Sequence, residues 1–390
     1  MTALRRNDRI NAGAAICASD CSPGIYSDNK VCVLCMERTV MWIMAFGALL
    51  GGLDRLIGNR FGLGKKFEQG FELMGSTALS MAGILCLSPL LARLLQAVFT
   101  PLCAYIGVDP AMLAGILAID MGGYTLSLEL AADAAVGRFS GVIVAATLGC
   151  TVSFTIPIGM GMLRSDVRRD FSRGILFGVA ALPVSLVVGG LLCGLAPAAI
   201  LVQSLPALLL AALVLLGLRF RTNDTIRAFS ILASFIRALA TIGLTLGAFQ
   251  YMTGCALLPG LSPLPEAMEV VASIAIVMLG SLPMAELLMR LLRRPLRGLG
   301  ARTGMNEASI AALLVGAVSV LPAIAMVQDM DARGRVVNAA AMVCSASAFA
   351  AHLGFIAGVD ASMILPLFAA KFAGALAGAG AALWATRRRA

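Results

Sequence analysis

Long apolar runs separated by short polar ones set the pattern of this chain. The runs fall at approximately 39–57, 71–96, 111–131, 138–162, 172–195, 198–218, 228–253, 268–292, 307–327, 336–358 and 361–385. Each is near the ~20 residues that a membrane-crossing helix needs. The pattern predicts an all-α integral membrane protein with about 10–11 transmembrane segments. Composition agrees: 59% of residues are hydrophobic and 13% charged, with mean hydropathy +0.92, against about 25% charged residues in soluble domains. The 41 glycines also suit membrane helices.

The polar connections sort by charge. Arg60, Lys65 and Lys66 follow the first run, and Arg164, Arg168, Arg169 and Arg173 follow the fourth. Arg219, Arg221 and Arg227 follow the sixth, and Arg293, Arg294, Arg297 and Arg302 the eighth. The connections at 97–110, 195–198, 254–266 and 358–361 hold no Lys or Arg. Eleven strict crossings would put basic connections on both sides. All of them, with the Arg387–Arg389 terminus, share the cytoplasmic side if the third and ninth segments return to the side they came from. Those two contain the strongest breakers, Asp120-Met121-Gly122-Gly123 and Ser319-Val320-Leu321-Pro322. Two inverted repeats then emerge, about 39–195 and 228–385, joined by a linker helix at 198–218. Glu68, Pro89, Asp109-Pro110, Asp120, Glu129 and Pro157 run in the same order as Glu269, Pro283, Asn306, Pro322, Asp329 and His352. A chance alignment of two Gly/Pro-rich halves explains that order equally well. Inverted repeats crossing at broken helices would place a substrate site near the bilayer midplane.

Residues 1–35 stand apart as an N-terminal extension, disordered or produced by a misassigned start, with Met36 as a second start. Cys17, Cys21, Cys32 and Cys35 there could hold zinc or an iron–sulfur cluster. The polar surroundings and the lack of other ligand types favour no metal. No apolar stretch makes a secretory signal of this segment. Cys86, Cys103, Cys150, Cys193, Cys255 and Cys344 lie singly in or beside apolar runs and are expected to be small core residues.

Function classes narrow quickly. The net charge of +9 comes from short clusters between apolar runs, which excludes a nucleic-acid surface. HExxH and GxSxG are missing, and His352 is the one histidine of the sequence. Gly58–Lys66 (GNRFGLGKK) has the wrong spacing for a phosphate loop and lacks its Ser/Thr. No enzyme activity and no cofactor is implied, and any transport is secondary or facilitated.

Asp120 is the leading site residue. A carboxylate at bilayer depth costs roughly 2.5–3.5 kcal/mol on insertion scales and marks function by default, although a structural carboxylate paired with an Arg is the plainer reading. Gly122 and Gly123 would break the helix beside it. Glu129 is either a second ligand or an interfacial end marker. Glu68 and Glu269 begin segments, where the helix dipole favours them, and Glu286 is placed to pair with Arg290. His352 could donate to a substrate or be a satisfied core residue. Thr151, Ser153 and Thr155 precede Pro157, which frees a backbone carbonyl; they either satisfy it or line a path. Tyr124, Phe154 and Phe355 could wall a site for an organic cation or simply pack. Pro322 marks the second break.

Several stretches together resemble the ethanolamine permease family of ethanolamine-utilisation operons: Lys66-Phe67-Glu68-Gln69-Gly70-Phe71, Asp120-Met121-Gly122-Gly123, Leu128-Glu129-Leu130-Ala131, Met330-Asp331-Ala332-Arg333-Gly334-Arg335-Val336-Val337-Asn338 and His352-Leu353-Gly354-Phe355. The likeness runs from about Met36 to the C-terminus. It implies a multi-pass protein of the bacterial inner membrane that admits ethanolamine to catabolism. The family pattern carries paired asparagines near Ser319–Pro322 and an Asp where this chain has Ala351, so two polar contributions are lost here. The chemistry fits a small protonated amino-alcohol. An ion pair at 4 Å contributes about 4 kcal/mol at an effective dielectric of 20. One hydrogen bond adds about 1 kcal/mol, and together they correspond to roughly millimolar binding. The competing expectations are an ion-coupled carrier of another solute and a non-transporting sensor or scaffold. A homo-oligomer stays open, and the bilayer is the one macromolecular partner expected.

Overall fold

A computed structural model describes residues 28–117 and 123–387, all helices and their connections, with no strand among the described residues. Eight helices are long and apolar enough to cross a bilayer: α1 (Asp28–Leu56), α2 (Leu63–Ile106), α5 (Ala134–Met162), α6 (Ser165–Leu192), α9 (Thr222–Thr253), α10 (Leu264–Thr303), α13 (Ala332–Val359) and α14 (Ala361–Arg387). A ninth crossing is split into α7 (Pro197–Gln203) and α8 (Leu205–Phe220), bent by 51°. Four short helices remain: α3 (Ala111–Leu117), α4 (Gly123–Leu130), α11 (Glu307–Val318) and α12 (Val320–Met326).

The short helices form two hairpins, each with its ends pinned on one face of the bundle. At the base of α3–α4, the buried Asp109 caps Ala111 N at 2.9 Å and accepts from Ala132 N and Asp133 N, both at 3.0 Å. Residues just before and just after the segment therefore meet on a single carboxylate. At the base of α11–α12, Asn306 N donates to Asp331 Oδ1 and Asn306 Nδ2 to Asp329 O, both at 2.9 Å. The chain breaks between the two arms at Ser319, whose extended backbone (φ −151°, ψ 130°) stands where the Ser319–Pro322 breakers placed it. The two ends of the third apolar segment thus meet each other, as do those of the ninth. The break expected at Asp120–Gly122 lies outside the described residues.

Two packing groups make the bundle. α2 packs along α10 and α9, and α10 also along α1; α13 packs along α6 and α14, and α14 along α6. A belt of exposed apolar side chains, among them Trp42, Phe46, Leu213, Phe235 and Leu376, faces outward, as a protein solvated by lipid requires. Segment ends were less legible. The second segment, expected at 71–96, is part of a helix spanning Leu63–Ile106, and residues 28–35, expected in the extension, are continuous with α1. Polar end turns prolong these helices beyond their apolar cores, and hydropathy sees the core alone. The four N-terminal cysteines gain no structural reading: Cys17 and Cys21 lie outside the described residues. Of the other six, Cys255 is exposed and Cys193 half-buried, against expectation, because both sit at or beyond helix ends.

Candidate functional site

Two irregular backbones meet in the bundle interior. In α13 the helix stops at Ser345; Ala346 (φ −45°, ψ 125°) leaves it and Ser347 turns left-handed at φ 52°. A left-handed residue with a Cβ costs roughly 1–2 kcal/mol, so something must hold it. Ser347 N donates to Gly316 O of α11 at 3.1 Å, and Ala350 N and His352 N both donate to Ser347 O. The break in α13 is thus latched to the second hairpin. In α5 the residues Phe139–Gly149 and Thr151–Thr155 wind with π-type (i→i+5) bonds, a geometry that recurs at functional sites. The hairpin helices α3 and α4, which flank residues 118–122, both pack on this stretch. Gly141 makes that possible: a Cβ there would lie 2.7 Å from Tyr124 Cα.

A narrow cleft opens between these backbones, lined by Gly141, Val142, Ala146, His352, Phe355 and Ile356. His352 is buried, its Nδ1 3.0 Å from Ala346 O. Phe355 meets Tyr124 edge-on, ring centroids 5.8 Å apart and planes at 82°. Tyr124 is buried up to its hydroxyl, which donates to Asp360 Oδ2 at 3.2 Å. Asp360 is 19% exposed and also faces Arg138 Nε at 3.8 Å. Its other oxygen accepts from Ser362 N and Ser362 Oγ at 3.2 and 2.5 Å. A part-exposed carboxylate is therefore joined through Tyr124 to Phe355, one of the residues lining the cleft.

Lys371 of α14 lies deeper and is completely buried. Its Nζ donates to Ala146 O at 2.8 Å and to Cys344 O and Ala346 O, both at 3.0 Å. It ties the π stretch of α5 to the open end of the first half of α13.

The residues singled out from sequence fall in different places. Asp120 and Gly122 lie outside the described residues. Gly123 is buried at the start of α4, next to Tyr124. Tyr124, Phe355 and His352 are brought together around the cleft. Thr151 is buried, but its hydroxyl is committed to Thr147 O at 2.8 Å and Val343 O at 2.9 Å, fastening α5 to α13. Ser153 Oγ likewise bonds Gly149 O at 2.8 Å. Phe154 and Pro157 are half-buried further along α5, away from the cleft lining. Glu129 is exposed on α4, and Pro322 is exposed at the start of α12. Glu286 Oε1 lies 2.8 Å from Arg290 Nε, the expected pair, whereas Glu68, expected at a helix start, lies within α2 with its Oε1 2.7 Å from Arg55 Nε.

Asp360, Arg138 and Lys371 were missed. Asp360 and Arg138 sit at segment ends, where a charge is unremarkable in sequence. Lys371 did carry a signal. It interrupts the apolar run Phe368-Ala369-Ala370-Lys371-Phe372 as Asp120 interrupts its own, and the rule that flags one flags the other. The stretch Met330–Asn338 is explained by the structure. Asp331 caps Gly334 N at 3.0 Å and accepts from Ser309 Oγ at 2.7 Å, and Asn338 Nδ2 donates to Ser309 O at 2.8 Å. That motif locks the second hairpin to the start of α13.

Residues 36–385 match the family described as Ethanolamine utilisation protein, EutH. The chain belongs to this family. It is 36% identical over 354 residues to the "Probable ethanolamine permease EutH" of Listeria monocytogenes serotype 1/2a (strain 10403S), covering 90% of this chain and 95% of that protein. It is 35% identical over 387 residues to the protein of the same name from Salmonella typhimurium, covering 89% and 95%. An "Uncharacterized protein YxeR" of Bacillus subtilis is 36% identical over 352 residues, covering 90% and 95%. No solved structure matches the chain. The molecule is a multi-pass membrane protein of this family, and these relatives carry no enzyme's name.

Proposed function

We propose that the protein is an inner-membrane permease that admits protonated ethanolamine for catabolism, by facilitated or secondary transport. The observation that carries the reading is the part-exposed Asp360 carboxylate bonded to Tyr124, whose ring meets Phe355 in the lining of a narrow cleft that His352 also lines. The relatives named as probable ethanolamine permeases support it. An ammonium arriving there meets a carboxylate and an aromatic hydroxyl. It can take the carboxylate over from Arg138 at little cost, since a part-exposed pair 3.8 Å apart contributes about 0–1 kcal/mol. Asp120 keeps the role that its place in an apolar run argues for, an inner counter-charge in the first hairpin. His352 would serve the hydroxyl of the substrate.

Topology follows the charges. The basic connections and the C-terminus lie in the cytoplasm, and Asp360, Asp109 and Gln203 on the opposite side. The pairing of α2 with α10 and of α6 with α14 supports two repeats of opposite orientation, about 39–195 and 228–385. Uptake of labelled ethanolamine into proteoliposomes tests the reading. Asp360→Asn and Asp120→Asn should each lower uptake at least about tenfold at subsaturating substrate, a loss of about 1.4 kcal/mol of binding. Wild-type rates in both variants would remove the assigned roles.

A further inference from the structure

Ion-coupled carriers set their cations against unwound backbone carbonyls and the C-terminal ends of half-helices. A cage of that kind exists here. Cys344 O belongs to the last turn of the first half of α13, whose carbonyls have no helical partner. Ala346 O belongs to the unwound link, and Ala146 O comes from the π stretch of α5. The cage holds the side chain of Lys371, with three oxygens at 2.8–3.0 Å. An ammonium has three protons and no acceptor, so three carbonyls suit the charged form. A neutral amine would set its lone pair against one of the oxygens. The negative end of the half-helix dipole adds to the same preference. Phe368 and Phe372, on either side of Lys371, pack against Phe349 just past the break, with ring centroids 5.3 and 5.5 Å from it.

We propose that Lys371 is the protein's resident cation. It occupies the position of a coupling sodium ion and bridges the two broken backbones beside the cleft, so that the protein works without sodium. Its role is one of positioning: it holds Ala346 O, which His352 also meets, and through it the cleft wall. The coupling half of the proposal rests on the transport reading above; the cage itself does not.

Two measurements on the full-length protein test it separately. The first is thermal unfolding in detergent, in potassium or sodium buffer, with and without n-propylammonium, which restores the three-carbon stem and charge removed by Lys371→Ala. Wild type should melt alike in all of them. Lys371→Ala should melt several degrees lower in potassium and be raised by n-propylammonium, as a ligand that binds the folded state does. Lys371→Met, which fills the stem's space without a charge, should melt lower than wild type with no recovery by either cation. A sodium-induced rise in wild type, a Lys371→Ala protein that no cation raises, or a Lys371→Met protein as stable as wild type would each overturn the proposal. The second is ethanolamine uptake by wild type under sodium or potassium, with equal rates expected; a several-fold rise with sodium overturns it even where no Lys371 variant can be purified. Absence of uptake together with the expected melting pattern would instead fail the transport reading alone.

Discussion

Single side chains set the surroundings of Asp360, and their parts can be separated. Tyr124 offers both a ring to Phe355 and a hydroxyl to Asp360. Tyr124→Phe keeps the first and loses the second, so uptake at low substrate should fall by about three- to tenfold, in line with one hydrogen bond to a charged group; Tyr124→Ala should fall further. Initial-rate uptake checks both. Asp331 gives a pH test outside the membrane. Burial alone would raise its pKa, but the donors Asn306 N, Ser309 Oγ and Gly334 N outweigh it and hold the carboxyl below its ordinary 3.8. A depressed pKa stabilises the folded state fully above the unfolded value, and that contribution is lost as pH falls through the lower folded value. Asp331→Asn should therefore melt below wild type at pH 6–7, and the gap should close as pH drops below about 4; melting curves across that range decide it. At this scale the sequence was unevenly legible. A midspan charge announces itself, which is how Asp120 was found and how Lys371 should have been. Asp360 could not announce itself, because an acid in a connection is ordinary until folding brings Tyr124, 236 residues away, onto it.

At the scale of elements, what matters is where helices stop and how closely they approach. The break in α11–α12 was legible because Ser319–Pro322 combine a weak helix former with a proline. The break at Ala346–Ser347 was not. It contains neither Gly nor Pro, and its left-handed serine is held by Gly316 O from a distant hairpin, with Lys371 on the carbonyl of Ala346. Tertiary bonds impose that break, so local composition reads straight through it. Gly47 and Gly51, one helical turn apart on α1, mark close contact with neighbouring helices: a Cβ at Gly47 would strike Gly280 O, and one at Gly280 would strike Met44 O. Gly280→Ala should push α10 from α1 and cost about 1–3 kcal/mol, as overpacking does. A lower melting temperature with unchanged topology is the expected result, and an unchanged melting temperature would show that the contact is not tight.

For the whole molecule, the distribution of basic connections gave the two returning segments before any coordinates did. Asp109 at one base and Asn306 with Asp331 at the other supply their physical cause. Hydropathy marks the stretches long and apolar enough to enter a membrane, and charge sorts the connections. Neither specifies that α4, α5 and the link between α13 and α14 bring Tyr124, Arg138 and Asp360 together, or that α14 sets a caged lysine against α5 and α13, since those contacts join residues far apart in sequence. The most direct measurement is uptake of labelled ethanolamine by proteoliposomes holding wild type or Asp360→Asn. Saturable uptake by wild type, inhibited by unlabelled ethanolamine and reduced at least about tenfold in a stably folded Asp360→Asn, is the predicted result. Wild-type liposomes no more permeable to ethanolamine than protein-free ones would contradict it.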